Sequence, residues 1–337
     1  MADEGRPLPA VSLVAPIFNG GQHYAECFES VCRIDYPVDR LQVIVVDDAS
    51  TDGTREYLQK QSPPPFVKIL YPPQNLGRSG VRNFGLREAT GEIIILLDGD
   101  MEVQPDFVRA HVEQLSKPGR KALLGSVKPA PWMKRTRLLR YLHEYRGRGA
   151  RQFDEGGPIG FQYLLTHNLA LTRAALEAGG GFDETFVRHG GEDTLFAYAI
   201  ARAFPNGLYY STAPAALHHH HRGLSQHLAE AYSYGRHNLP KIVSRHPELA
   251  TPLAADFAWP FPGRLFRRKR LAGAMMFNTV LYYFLRALFL ITPPPLSSPL
   301  IRYLTVGAVV RGLRRHVRQM PKPSSYDGNQ VGKGQRP

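Results

Sequence analysis

Apolar runs recur through the first hundred residues at Val11–Ala15, Leu41–Val46, Phe66–Tyr71 and from Glu92 to Met101, each separated from the next by a polar or amphipathic stretch. Short continuous runs of β-branched and aliphatic residues fit strands buried on both faces, as in a parallel sheet. The intervening stretches, around His23–Val31, from Thr54, and from Asn75 to Ala89, fit helices, and Thr51 or Asp52 is placed to cap the second of them. This alternation predicts βαβ units, right-handed crossovers and a doubly wound, mostly parallel sheet of the Rossmann-like α/β class.

Two of these strands end in acids. Five apolar residues run into Asp98-Gly99-Asp100, and Leu41–Val46 runs into Asp47-Asp48. Open α/β sheets bind ligands in the crevice outside the carboxyl ends of their strands, so both acidic ends can face one site. Two carboxylates separated by one small residue suit a hard cation, and Gly99 would let a ligand lie close to the backbone. An ordinary Asp-Gly turn is the alternative for the same residues.

Further on, the pattern predicts a helix over Gln104–Leu115, a strand over Lys121–Val127 and a basic helical stretch from Trp132 to Arg148. The polar, glycine-rich Arg151–Gly160 reads as a mobile loop over the site. One or two strands are expected in Tyr163–Thr172 and a short helix over Arg173–Ala178. His189-Gly190-Gly191-Glu192-Asp193 then precedes a helix with apolar residues at Leu195, Phe196, Ala199, Ile200 and Ala203, a spacing that buries one face and leaves Glu192 and Asp193 at the amino end. An acid there is either a reactive group or a partner of the helix dipole. Short strands at Leu208–Tyr210 and Ala213–His218 lead through four histidines, 218–221, into a helix from Leu224 to about Arg245. In an extended segment His218 and His220 share one face and His219 and His221 the other, so one pair is expected to see the site, with His218 foremost.

Charge divides the chain. Of the net +13, residues 251–337 contribute +12, from fourteen Lys and Arg against Asp256 and Asp327, which leaves +1 for residues 1–250. The first 250 residues are therefore no general polyanion binder, and the basic charges flank apolar runs without forming an Arg-aromatic surface, which argues against a nucleic-acid partner. Leu271–Ile291 is long enough to span a bilayer, but Asn278 and Arg286 interrupt it, and an arginine near a helix centre costs ~2.5–3.5 kcal/mol on insertion scales. With Arg264–Arg270 before it, and Leu300–Val310 flanked by Arg311, Arg314, Arg315 and Arg318, the expectation is an interfacial helix or shallow hairpin on an anionic membrane surface. A helical subdomain packed on the core is the alternative. Pro293-Pro294-Pro295 is expected to stop the first apolar segment. Cys27 and Cys32 are five residues apart, off a common helical face, and read as reduced thiols of a cytoplasmic chain; the acidic, Pro-containing start carries no secretory pattern. The division expected is a flexible 1–10, a catalytic domain over 11–250, a helical basic extension over 251–320 and a disordered 321–337.

Taken together and in this order, VSLVAPIFN, VIVVDDASTDGT, NLGRSGVRNFGL, LLDGDM, GGFDETF and GGEDTL resemble the family 2 glycosyltransferases of the GT-A fold, over roughly residues 10 to 240. The resemblance implies transfer of a sugar, of the hexosyl type, from a nucleotide diphosphate sugar donor to a hydroxyl acceptor such as a glycan or lipid-linked glycan, with inversion. It implies that Pro16, Phe18 and Asp48 hold the nucleoside, with Asp48 reading the base edge, and that Asn75 and Arg82 border the nucleotide. Asp98 and Asp100 would form a DxD motif for a divalent metal, Mn or Mg, with His218 completing the shell. Asp193 would be the base, and Glu192 and Asp183 would order the loop or touch the acceptor. Processive members carry a Gln-x-x-Arg-Trp motif after the base; its absence favours addition of single sugars. Two other readings share the sheet. A nucleotidyltransferase would attack the α-phosphate and open with a glycine-rich loop bearing Arg and Lys, where this chain has Pro16-Ile17-Phe18-Asn19. A non-catalytic nucleotide-sugar-binding protein would keep the fold without the chemistry.

Overall fold

Buried aliphatic residues set the layout of the sheet. The computed structural model describes residues 7–220, 222–261 and 264–320. Its first half is the expected alternation: β1 (Val11–Ile17), α1 (Tyr24–Cys32), β2 (Leu41–Asp47), α2 (Thr54–Gln59), β3 (Val67–Leu70), α3 (Gly77–Glu88) and β4 (Ile93–Leu97). Side chains alternate between the sheet faces, so Leu13, Val43, Val45 and Ile95 pack with Phe28 and Val31 of α1, while Val14, Ile44, Ile94 and Leu96 pack with Val81 of α3. Both faces are covered, which is why these strands read as unbroken apolar runs.

The second half comprises β5 (Met101–Val103), α4 (Phe107–Leu115), β6 (Ala122–Pro129), α5 (Arg137–His143), β7 (Asn168–Thr172), α6 (Arg173–Gly179), α7 (Glu192–Ala203) and β8 (Leu208–His218). All eight strands join one sheet in the order β3-β2-β1-β4-β7-β6-β8-β5. The mostly parallel expectation holds for the sheet's larger part, with antiparallel strands mixed in beyond β4. The pairs β1–β2, β1–β4, β2–β3 and β6–β8 are parallel, but β4–β7, β6–β7 and β5–β8 are antiparallel. Hydrophobic pattern locates a strand without fixing its direction. The connection from β6 to β7, residues 130–167, is long enough for either direction, so its length does not decide it.

Several boundaries also move. β1 does not stop at Pro16, because at the strand end its missing N–H is not needed, while its carbonyl accepts from Gly99 N at 3.0 Å. The basic helical stretch shrinks to α5. The two short strands expected before the histidines are one, β8, with a register shift opposite Leu124/Ser126 where Asn168 Nδ2 donates to the carbonyls of Ser126 and Pro214. Arg151–Gly160 is not a free loop. Gly156 N and Ile159 N donate to Tyr210 O and Leu208 O, and the Glu155 carboxylate accepts from Ser211 Oγ and Thr212 N, so residues 155–159 are tied to β8. Residues 7–10 are likewise held, with Ala10 O accepting from Ile93 N and Pro9 O from the Tyr36 hydroxyl. The remainder of the expected flexible start, residues 1–6, and the expected tail 321–337 lie outside the described residues.

The C-terminal part is helical: α8 (Leu224–Ser233), a π turn over Tyr234–Asn238, α9 (Leu239–Arg245), α10 (Arg264–Met276), α11 (Thr279–Leu288) and α12 (Pro294–Gln319). The proline triplet starts α12 instead of merely stopping a segment, as suits proline in a first helical turn. Leu300–Val310 is not a membrane segment but the core of this layer: Ile301, Leu304 and Val310 are fully buried, and α12 packs on α5, α8 and the π turn. Leu271–Ile291 is broken by Asn278, whose Nδ2 donates to Met275 O and whose Oδ1 accepts from Leu281 N, both at 2.8 Å, closing one helix and capping the next. Among the described residues no single helix is long and apolar enough to cross a membrane; α10 and α11 meet with a bend of 46°.

Candidate active site

Strand direction explains why the acidic residues meet. β1, β2 and β4 run parallel, so Pro16, Asp48 and Asp98 emerge at one end of the sheet. β7 runs against β4 with Leu97 opposite Asn168, which brings Thr166 and His167, just before β7, to that same end. β8 ends there too, with His218 opposite Met101.

Arg82 of α3 is the hub. It is 6% exposed and donates from Nη2 to Asp98 Oδ1 at 2.8 Å, while its Nη1 lies 4.0 Å from Glu192 Oε1. Burial works against its charge, but Asp98, Asp193 and Glu192 together hold it protonated. Burial also opposes ionisation of Asp98, and the guanidinium more than offsets this, drawing that carboxyl down to about 2. Arg82, expected to border the nucleotide, ties the acidic end of β4 to the first turn of α7.

Asp193 accepts from the Thr166 hydroxyl at 2.8 Å, so its carboxylate is oriented by β7's leading residue. Glu192 is 3% exposed and its Oε2 has no hydrogen-bond partner; burial first, and the charge of Asp193 second, push its carboxyl up to about 7. A carboxyl raised in the folded state stabilises the fold below its unfolded value near 4.5, and that stability is lost as pH rises through about 7. Glu192→Gln stays neutral throughout. Between pH 5 and 8 the wild type should therefore lose on the order of 2–3 kcal/mol relative to Glu192→Gln, read from urea melts at the two pH values. Parallel pH dependence of the two proteins would mean that Glu192 ionises normally.

The loop before α7 is built for this placement. Gly190 and Gly191 have φ of +88° and +106°, and a Cβ on Gly191 would come within 2.9 Å of the Phe186 ring. Asn238, in the π turn, donates from Nδ2 to Arg188 O at 3.0 Å and His189 O at 3.3 Å, clasping the loop from the C-terminal layer. π turns recur at such sites because the extra residue re-aims one side chain. Asp183 does not reach toward a substrate: it accepts from Thr185 N at 2.8 Å and pairs with Arg245, fastening the same loop to α9. Asn83 completes the fastening from α3, exchanging hydrogen bonds with Phe182 and donating to Glu184.

Asp100 Oδ2 lies 3.2 Å from His218 Nε2, and Asp100 Oδ1 is buried with no partner. Burial tends to lower the His218 pKa, but the hydrogen bond to Asp100 raises it overall. His219 turns away from Asp100 to Glu102, at 2.8 Å, and His221 lies outside the described residues. Among the described residues no three His, Cys, Asp or Glu side chains form a complete metal cage. An orphaned carboxylate oxygen beside a histidine nitrogen and a second carboxylate is nevertheless a fitting donor set for Mn or Mg, which hold to few protein ligands and take the rest from water and phosphates.

On the nucleoside side, Asp48 is 3% exposed and its two oxygens accept from Leu76 N at 2.6 Å and Gly77 N at 3.0 Å. Its carboxylate thereby caps the start of α3. Asn75 supports that cap, donating to Asp48 O at 2.9 Å. Phe18 is half exposed at the rim and Pro16 part-buried below it. Asp47 is fully buried against Arg55. Gly99 makes room for β1, not for a ligand: a Cβ there would lie 2.6 Å from Pro16 O.

Sequence reasoning missed three contributors. Thr166 and His167 sit in a stretch read only as strand, and antiparallel pairing, invisible in the pattern, puts them beside Asp193 and Asp98. Trp132 was taken as the start of a helix. Its indole stacks on His23 with ring centroids 4.1 Å apart, donates to His219 Nδ1 at 3.3 Å, and is 54% exposed. An exposed, anchored tryptophan was the available signal.

Comparison with known proteins agrees with this geometry. Residues 12–179 match the family model described as Glycosyl transferase family 2. The glycosyltransferase AglE of Haloferax volcanii is 31% identical over 121 residues, 36% of this chain and 40% of AglE. The chondroitin synthase of Escherichia coli is 25% identical over 244 residues, 63% of this chain and 35% of the synthase. The chain thus spans well under half the length of these curated relatives. Among solved structures, the mannosyltransferase PcManGT of Pyrobaculum calidifontis, in complex with GDP-Man and Mn2+, superposes with a TM-score of 0.55 at 23% identity, covering 90% of this chain and 87% of that one. S. aureus TarS 1–349 gives 0.52 at 17%, covering 92% and 91%. These two likenesses show the fold. Through residues 12–179, and with a GT-A architecture around them, the chain belongs to glycosyltransferase family 2.

Proposed function

We propose that the protein transfers one sugar at a time from a nucleotide diphosphate sugar to an acceptor hydroxyl, with inversion at the anomeric carbon. The observation that carries this reading is Arg82, which holds the acidic end of β4 and the acidic start of α7 across one crevice. Asp193, oriented by Thr166, takes the proton of the acceptor hydroxyl as its oxygen bonds to the anomeric carbon and the bond to the nucleoside diphosphate breaks on the opposite face. Asp100 and His218, with Asp98 beside them, would hold Mn or Mg, whose chemistry there is to neutralise the charge growing on the departing diphosphate. Arg82 keeps Asp98 ionised and in place. The likeness to PcManGT, whose structure contains GDP-Man and Mn2+, supports a metal-assisted donor site of this kind.

The test is calorimetric titration with a panel of nucleotide diphosphate sugars, with and without Mn2+ or Mg2+, followed by identification of the nucleotide released. One donor should bind with metal dependence and slowly release its nucleoside diphosphate. In Asp100→Asn the metal-dependent part of donor affinity should fall at least about tenfold, or roughly 1.4 kcal/mol. Release of a nucleoside monophosphate would instead identify a nucleotidyltransferase, and binding without any release a non-catalytic sugar-nucleotide receptor.

A further inference from the structure

The helix α11 is apolar on two sides, and only one of them is covered. Tyr282 and Phe289 are buried against α12, with Leu285 packed beside them. The opposite side carries Val280 and Phe284, exposed by 81% and 63%, with Tyr283 beside them, and the turn after it carries Leu290 and Ile291, exposed by 73% and 80%. A helix with this composition is normally enclosed by other elements, and an apolar surface of this extent marks an interaction site. Met275 at the end of α10, 68% exposed, and Leu296 at the start of α12, 63% exposed, extend the patch across the neighbouring turns.

The charge along this part of the chain has one sign. From residue 257 to residue 320 there are eleven Lys and Arg and no Asp or Glu. The nearest acid, Asp256, is buried and already paired with Lys269. Arg264, Arg267 and Arg268 stand exposed on α10, immediately before the patch. We infer that α11 and the turn after it dock on an anionic lipid bilayer, with Val280, Phe284, Leu290 and Ile291 entering the boundary between headgroups and acyl chains and the arginines of α10 meeting lipid phosphates. Burial of apolar surface and attraction to an anionic headgroup layer reinforce one another in such interfacial helices. A second copy of this chain is a poorer occupant, because its own patch carries the same unbalanced positive charge. The break at Asn278 divides the apolar stretch into two helices at 46°, so no single straight helix runs through it. The attachment would hold the sugar-transfer site beside a membrane without placing any site residue in it.

Flotation of the full chain with phosphatidylcholine vesicles, with and without 30 mole per cent phosphatidylglycerol, tests this (roughly the anionic content of a cytoplasmic leaflet). The wild type should bind the anionic vesicles at least about tenfold more tightly than the neutral ones, and lose that margin in high salt. The double variant Phe284→Glu, Ile291→Glu replaces exposed side chains, so it should keep the wild-type circular dichroism and donor binding while its vesicle affinity drops at least about tenfold. Arg267→Glu with Arg268→Glu should remove the preference for anionic vesicles. Failure of the wild type to float would overturn the inference, as would undiminished binding by the Phe284/Ile291 variant. It would also be overturned if that variant changed a dimer into a monomer in sedimentation velocity while no protein floated, which would assign the patch to a second copy. Donor binding is measured separately, so a failure here leaves the sugar-transfer reading standing.

Discussion

Asp193→Asn should bind donor as the wild type does and lose turnover by roughly 10²–10⁴-fold, the usual contribution of a general base, which is about 3–5 kcal/mol of barrier. The substitution keeps the size of the side chain and its ability to accept from the Thr166 hydroxyl, so the loop and α7 should remain in place. What it removes is a carboxylate able to take a proton. The measurement is single-turnover transfer alongside donor affinity on the same preparation. The competing role for an acid in a first helical turn is interaction with the helix dipole, worth ~0.3–1 kcal/mol. Under that role the variant would melt slightly earlier and transfer sugar at close to the wild-type rate, and the assignment of Asp193 as base would be wrong.

Arg82→Met should be the most destabilising single change in the site. The methionine fits the space along the stem, but it leaves Asp98, Glu192 and Asp193 facing one another with no cation between them. Removing one partner of a buried ion pair typically costs about 3–5 kcal/mol, and urea unfolding at pH 7 should show a loss of that order. The sign of its pH dependence is fixed by Asp98. Its pKa is lowered in the fold to about 2, so the pair contributes stability above the unfolded value near 3.8 and loses it as pH falls through about 2. The deficit of Arg82→Met should therefore be largest near neutrality and shrink below about pH 4. A constant deficit at all pH values would mean that the methionine costs packing alone. Arg82→Lys should recover part of the loss, because it restores charge without the bidentate reach of the guanidinium.

The residues that were legible in the sequence share a property: their signal is local. Ile93–Leu97 running into Asp98-Gly99-Asp100 announces a buried strand and an acidic end within ten residues, and the alternation of strand side chains separates His218 from His219. The same locality limits what could be read. The partners of the Asp48 carboxylate are not its neighbours in the chain; Leu76 N and Gly77 N are 28 and 29 residues away. Gly99 looked like space for a ligand until β1 filled it. The polar stretch Arg151–Gly160 looked loose because its partners lie on β8. In the C-terminal part, two apolar segments of similar composition have opposite fates, since Leu300–Val310 is enclosed by α5 and α8 while α11 presents one side outward.

The strands and helices of the first half, the acidic strand ends, the acids opening α7 and the excess of positive charge beyond residue 250 are local properties of the chain. Each follows from period, run length or residue type over a short window. That β7 runs against β4, that Thr166 thereby orients Asp193, and that Arg82 joins the two acidic clusters emerge only when the chain folds. Strand direction and the meeting of distant side chains depend on which long-range packing buries the most apolar surface while leaving no charge unpaired, and no local pattern encodes that choice.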